Sequence, residues 1–271
     1  MRYKQLLAAI VLTLGLFSCD KKKPPVNPPP PSATVQLKDI TIAGLPSPYY
    51  SFEYNFSGQV IIANYSGGIR MYDILYGGNA ISELRNNTPA NKDRMQYIYG
   101  TNGKPELVKY FDENNLQFKR AFITFNAGGQ LQKIEWERNI GIGFQAERTV
   151  SFIYYPDGNL LELTDHHHPI GSQQELSITD RFEQYDDKIN QDAFSLFHAN
   201  NDHLLLLPTL KLQKNNPKKL IRTGTGINYT IDYTYTYNDK NTPLTKFGDV
   251  LFTSGPDAGQ RFQQKIFFSY Y

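Results

Sequence analysis

Few side chains in this 271-residue chain are of types and spacings that do chemistry. Asp165-His166-His167-His168 is a run of metal-capable groups. Neighbours in a strand point to opposite faces, so at most two of these imidazoles converge, and a further ligand must come from elsewhere, such as His198 or His203. No HExxH spacing exists, so the run reads as a polar loop, with no metal and no cofactor expected. Glu135 and Glu137 flank Trp136 on one strand face, and Asp186-Asp187 is a second acidic pair. Glycoside hydrolysis needs two carboxyl groups about 5 to 9.5 Å apart across a sugar, a separation that sequence does not show. There is no Gly-x-Ser-x-Gly elbow, and Gly141-Ile142-Gly143 lacks the third glycine of a dinucleotide loop. No catalytic residue is nominated.

Cys19 is the only cysteine. It follows a cationic start, Arg2 and Lys4, and twelve uncharged residues, 6–17, that reach about 18 Å as a helix, short of the ~30 Å bilayer core. Such a segment exports a chain and does not span a membrane. Leu16-Phe17-Ser18-Cys19 resembles the lipobox of bacterial lipoproteins, which implies diacylglyceryl modification of Cys19, cleavage of residues 1–18 and anchoring of the mature chain to a membrane. Two or three acyl chains anchor stably where one is marginal. Residues 19–34 then form a tether. Its Lys21-Lys22-Lys23 and its prolines 24, 25 and 28–31 favour an extended spacer of about 45 Å that holds the domain off the membrane.

From residue 35 the chain carries 23 Lys and Arg against 25 Asp and Glu. The basicity therefore belongs to the signal and tether, and a nucleic-acid partner is not expected. The remaining 237 residues suffice for a single domain with a sizeable core. Nineteen Tyr and 17 Phe favour strands. They recur in one pattern, alternating aromatics, then a turn of Asn, Asp or Gly, then a second alternating run. Copies fall at 52–60, 72–81, 97–103, 122–131, 152–160 and 229–241. Asn-Gly and Asp-Gly supply the left-handed residues of tight hairpins, and turn glycines 58, 78, 103, 128 and 158 stand 20 to 30 residues apart. The last copy, ending Asn238-Asp239-Lys240-Asn241, has a different turn. Tyr229, Ile231, Tyr233, Tyr235 and Tyr237 share one strand face. That face is either a core stripe or an exposed platform for stacking sugar rings, with Trp136, Tyr233 and Tyr235 as the candidate stacking residues.

Tyr154-Tyr155-Pro156-Asp157-Gly158-Asn159-Leu160 resembles the YD repeat of Rhs and teneurin-like proteins, without the Tyr-Asp pair itself. With the lipobox, the whole chain is similar to exported Bacteroidetes lipoproteins built from YD-like hairpins. The resemblance implies an open or barrel-like sheet and no established activity. The expected fold is an all-β antiparallel meander of repeated hairpins forming an open, curved or barrel-like sheet over 35–271, with a short partly helical insertion near 170–215. A membrane-inserted barrel is disfavoured, because its strands would be short, its turns polar and a lipid anchor redundant. The expected role is a non-enzymatic binding or scaffold module of the cell envelope, with a glycan or an envelope protein as its partner; the alternative is an envelope hydrolase acting on glycans with a carboxylate pair.

Overall fold

A computed structural model describes residues 35–88, 92–191, 205–207 and 210–271. Cys19, the signal, the tether, His198 and His203 lie outside the described residues. The strands are β1 (Leu37–Ile42), β2 (Tyr50–Tyr54), β3 (Val60–Tyr65), β4 (Arg70–Gly77), β5 (Ala80–Asn86), β6 (Arg94–Tyr99), β7 (Pro105–Phe111) and β8 (Gln117–Phe125). They continue as β9 (Leu131–Asn139), β10 (Phe144–Tyr154), β11 (Leu160–His167), β12 (Leu176–Tyr185), β13 (Pro217–Gly224), β14 (Tyr229–Tyr237), β15 (Pro243–Phe252) and β16 (Arg261–Tyr270). Each pairs antiparallel with its neighbours in sequence, and β1 pairs with β16 (Leu37 opposite Tyr270, Ile42 opposite Ile266) to close the barrel. Closure leaves no edge strand to be capped.

A meander places alternate connections at opposite ends. Those leading from even to odd strands, such as 55–59, 100–104 and 155–159, gather at one end, here called the turn end; those from odd to even strands gather at the other, the loop end. Five turn-end hairpins have the same closure. In the one at 155–159, Tyr155 N–H donates to the Asn159 carbonyl and Gly158 N–H to the Tyr155 carbonyl, with Gly158 at φ 92°. This is a type I turn followed by a left-handed residue, which also bulges the adjoining strand pair. At 126–130 the left-handed position is taken by Gly129 (φ 81°) and not by Gly128. The 238–242 turn, different in sequence, has the same hydrogen bonds with Asn241 at φ 60° in the glycine's place.

The expected helical insertion is corrected in part. No helix occurs among the described residues, and 176–185 is the ten-residue strand β12. Asp180 falls on its apolar phase and breaks the alternation that would have marked it as a strand. Of the β12–β13 connection, Leu205, Leu206 and Leu212 are buried in the barrel core, and Leu206 exchanges hydrogen bonds of 3.0 and 3.2 Å with the Tyr97 hydroxyl of β6. These described leucines lie inside the barrel, and Leu206 reaches β6, far round the ring.

The two faces of the strands differ in kind. Most inward positions are aliphatic or aromatic, for example Tyr50, Phe52, Tyr72, Leu84, Met95, Tyr110, Ile134 and Phe152, all buried in one core. The intervening outward positions carry Asp73, Glu83, Lys109, Arg120, Glu135, Glu162, Arg181, Lys219, Asp232 and Lys265, interleaved with a few aliphatics such as Ile98 and Ile153. Burial is the driving term, at about 25 cal/mol per Å² of apolar surface removed from water. A transmembrane barrel has the reverse polarity, and an outward Arg or Lys at the bilayer midplane costs it about 2 to 4 kcal/mol each.

Candidate functional site

At the turn end, an aromatic at or near the end of most even strands has a structural task. Tyr54 donates its hydroxyl to the Leu37 carbonyl (2.7 Å), Tyr76 to Val60 (2.9 Å), Tyr185 to Leu160 (2.6 Å), Tyr235 to Pro217 (2.8 Å) and Tyr270 to Pro243 (2.6 Å). In each of these five cases the acceptor is the first residue of the preceding odd strand, so the phenol ties one hairpin to the one before it. Tyr99 differs: its hydrogen bond with the Ile81 backbone lowers its pKa, so there the phenol oxygen accepts from the Ile81 N–H. Burial, reinforced by the neighbouring Tyr99, pushes the Tyr76 phenol up to about 12, which keeps it protonated as a donor. Two further rungs differ. Phe125 on β8 has no hydroxyl, and the Tyr154 hydroxyl on β10 is buried with no hydrogen-bond partner among the described residues. Beside Phe125 lies a cavity of about 190 Å³, walled by Tyr76, Tyr99, Phe125, Leu206 and Leu207, with Lys104 as its cation.

At the loop end, charged side chains occupy the inward phase of β8 to β13. Arg148 grips Asp165 bidentately, Nε to Oδ1 at 2.7 Å and Nη2 to Oδ2 at 2.8 Å. Arg222 grips Asp180 likewise, Nε to Oδ1 at 2.7 Å. Lys119 Nζ lies 2.7 Å from Glu147 Oε2, and Arg138 pairs with the other oxygen. A bulge between Ala146 and Arg148 lets consecutive residues Glu147 and Arg148 both be buried. Trp136 and Tyr229 flank the row, with the Arg148 guanidinium 5.3 Å from the Trp136 ring centroid and that of Arg222 4.9 Å from Tyr229. Burial alone would raise the Asp165 carboxyl, but hydrogen bonds from His167 and Arg148 outweigh it and hold it below the usual carboxylate range. Glu147 is held down in the same way by Lys119 and Arg138 against the effect of burial. Burial lowers Lys119, and Glu147 restores only part of that. Each carboxylate is thus saturated by cations, an arrangement suited to holding shape or charge and not to moving a proton. Arg222 and His167 keep about a quarter of their side-chain surface exposed, so the row reaches solvent at the barrel mouth.

The nominated stacking residues go inside. Trp136 is 2 % exposed and donates its indole N–H to the Tyr110 hydroxyl at 3.2 Å; Tyr233 is 7 % exposed. Tyr235 is half-buried with its hydroxyl committed to Pro217. Of the two readings of the aromatic face, these burials fit the core stripe, because alternation places the three on the apolar phase of a closed barrel. Glu135 and Glu137 face outward in ion pairs with Lys133 (2.9 Å) and Arg120. Asp186 accepts from the Asn216 backbone (3.1 Å) and from the Tyr237 hydroxyl. His166 pairs with Glu175 (3.1 Å), His167 lies 3.2 Å from Asp165, and His168 bonds Thr149 (2.9 Å). No three metal-capable side chains converge among the described residues. The ion-pair row was not anticipated. Its signal was available: Lys119, Arg148, Asp165, Asp180 and Arg222 each sit in phase with buried apolar neighbours such as Ala121, Val150, Leu163, Phe182 and Leu220.

The chain matches no family model and no curated protein. Among solved structures it is similar to a porin-like protein from Bacteroides vulgatus, with a TM-score of 0.57 and 14 % identity over 87 % of this chain and 99 % of that one. It is also similar to a porin-like protein from Bacteroides uniformis, with a TM-score of 0.54 and 12 % identity over 82 % and 89 %. At that identity the likeness is one of fold, the closed antiparallel barrel.

Proposed function

We propose that this chain is an exported lipoprotein of the cell envelope, anchored through Cys19, whose barrel stands in water and serves as a non-enzymatic binding or scaffold module for an envelope partner. The observation that carries the reading is the polarity of the barrel, charged outside and apolar inside, which supports a domain that needs a separate anchor to stay at a membrane. The lipobox-like Leu16-Phe17-Ser18-Cys19 supplies that anchor, and the chain enters the barrel at the turn end, where Tyr271 N–H bonds to the Gln36 carbonyl. Envelope location is in keeping with the fold's likeness to porin-like Bacteroides proteins. The hydrolase alternative draws no support from the inward carboxylates of Asp165 and Asp180, each clamped by an arginine.

Replacing Cys19 with Ala and following acyl-label incorporation and fractionation tests the reading. The expected result is loss of label and release or mislocalisation of the chain; full membrane retention without lipid overturns it.

A further inference from the structure

The two ends of the barrel differ in what their connections expose. At the loop end, five of the eight connections carry, among the described residues, a large aliphatic side chain held out in water. These are Leu45, Ile69, Leu116, the pair Ile140 and Ile142, and Ile227, with Ile142 94 % exposed; Phe262 at the start of β16 adds to the same rim. Four of those connections, 43–49, 66–69, 140–143 and 225–228, contain no charged residue. Ile142 is raised on a two-residue turn closed by the Ile140 N–H bond to the Gly143 carbonyl, with Gly141 at φ 90°. Among the described residues the turn-end connections expose Phe56 and Ile189, but they are built from Asn and Asp turns and carry Asp157, Asp187, Lys188, Asp239 and Lys240. We infer that the loop-end rim is a lipid-docking surface whose aliphatic tips enter the outer few ångströms of a bilayer. The occupant follows from the layout. The tips belong to separate hairpins spread round a ring, with glycine and asparagine between them, so they form no contiguous patch of the kind a protein partner packs against. A fluid interface accepts isolated protruding side chains, and loops without charge lose little on entering it.

This inference rests in part on the anchored reading, and the two fit dimensionally. Residues 20–34 in extended form reach about 45 Å, while a ten-residue strand is about 33 Å long. A tether leaving the turn end therefore runs the height of the barrel and allows the loop end to meet the same membrane that holds Cys19. Acyl chains and rim would then act as two membrane signals on one molecule.

Single-cysteine labelling tests it on the full chain. Ile142→Cys and Phe56→Cys, each carrying an environment-sensitive dye, are placed in phosphatidylethanolamine–phosphatidylglycerol vesicles with brominated acyl chains. The parent chain, whose only thiol is Cys19, is the dye blank, and acyl labelling of Cys19 is followed in parallel. The expected result is a blue shift and several-fold stronger quenching at position 142 than at 56, lost when Ile69→Asp and Ile140→Asp are added. Equal, reversed or absent quenching overturns the inference, absence including the case in which the rim meets a protein. Acyl label without quenching at 142 removes the rim and keeps the anchor; quenching at 142 without acyl label removes the anchor and keeps the rim.

Discussion

The turn end and the loop end join neighbouring hairpins by different means. At the turn end the link is a neutral phenol donating to a backbone carbonyl, repeated from Tyr54 to Tyr270. At the loop end it is a buried ion pair, Arg148 with Asp165 and Arg222 with Asp180. A neutral hydrogen bond contributes about 0.5 to 1.5 kcal/mol with little desolvation at stake. A buried ion pair takes two charges out of water and roughly breaks even, yet removing one partner is costly. The repeated, low-risk device builds the barrel. The high-risk device is confined to the loop-end mouth.

Four substitutions or conditions sharpen that contrast. The largest effect is expected for Asp165→Ala, which leaves the Arg148 guanidinium uncompensated and costs about 3 to 5 kcal/mol by chemical denaturation. Exchanging both partners, Arg148→Met with Asp165→Leu, should recover most of it; a single-mutant cost below about 1 kcal/mol would mean that the row is effectively solvated. Acid comes next. Asp165 and Glu147 have lowered carboxyl pKa values in the folded state, so the unfolded chain binds more protons in the carboxylate range. Their stabilisation is complete above about pH 5 and is lost progressively as pH falls below about 4. Denaturation midpoints against pH should flatten in Asp165→Asn; an unchanged slope places the acid sensitivity elsewhere.

Smaller effects separate the rungs of the tyrosine ladder. Tyr185→Phe strands the Leu160 carbonyl and removes the acceptor of Gln213 Nε2, for an expected loss of about 1 to 2 kcal/mol. Tyr154→Phe, at the rung with no partner, should be neutral or slightly stabilising, and equal losses at both positions would break the ladder interpretation. The smallest change is expected at Ile142→Ser, within about 0.5 kcal/mol by thermal melt, because the side chain packs on nothing; a larger loss would mean that the rim is structural.

How much of this was legible follows from the range over which each feature is specified. The hairpins are local, so Asp157-Gly158-Asn159 and the aromatic alternation identified them, and at 238–242 the local geometry survived even the loss of glycine. Barrel closure depends on Leu37 meeting Tyr270 across the whole chain, and nothing near either residue announces it. Alternation put Trp136 and Tyr233 on a definite face, but whether that face met water or a core was decided by closure. The tyrosine hydroxyls bond to the neighbouring hairpin, which a one-strand reading does not reach. Asp180 both hid strand β12 and marked the ion-pair row, since a charge on an apolar phase looks like a broken strand until its partner Arg222 is placed beside it.

The central claim, that the barrel wall faces water while the lipid anchor holds the molecule, is tested most directly by a single cysteine at an outward mid-strand position. Glu135→Cys and Lys219→Cys, in the vesicle-bound chain, should react with a membrane-impermeant maleimide as fast as in detergent and show no quenching by brominated lipid. Protection from the maleimide together with strong quenching at both positions would put the wall in the bilayer and contradict the account.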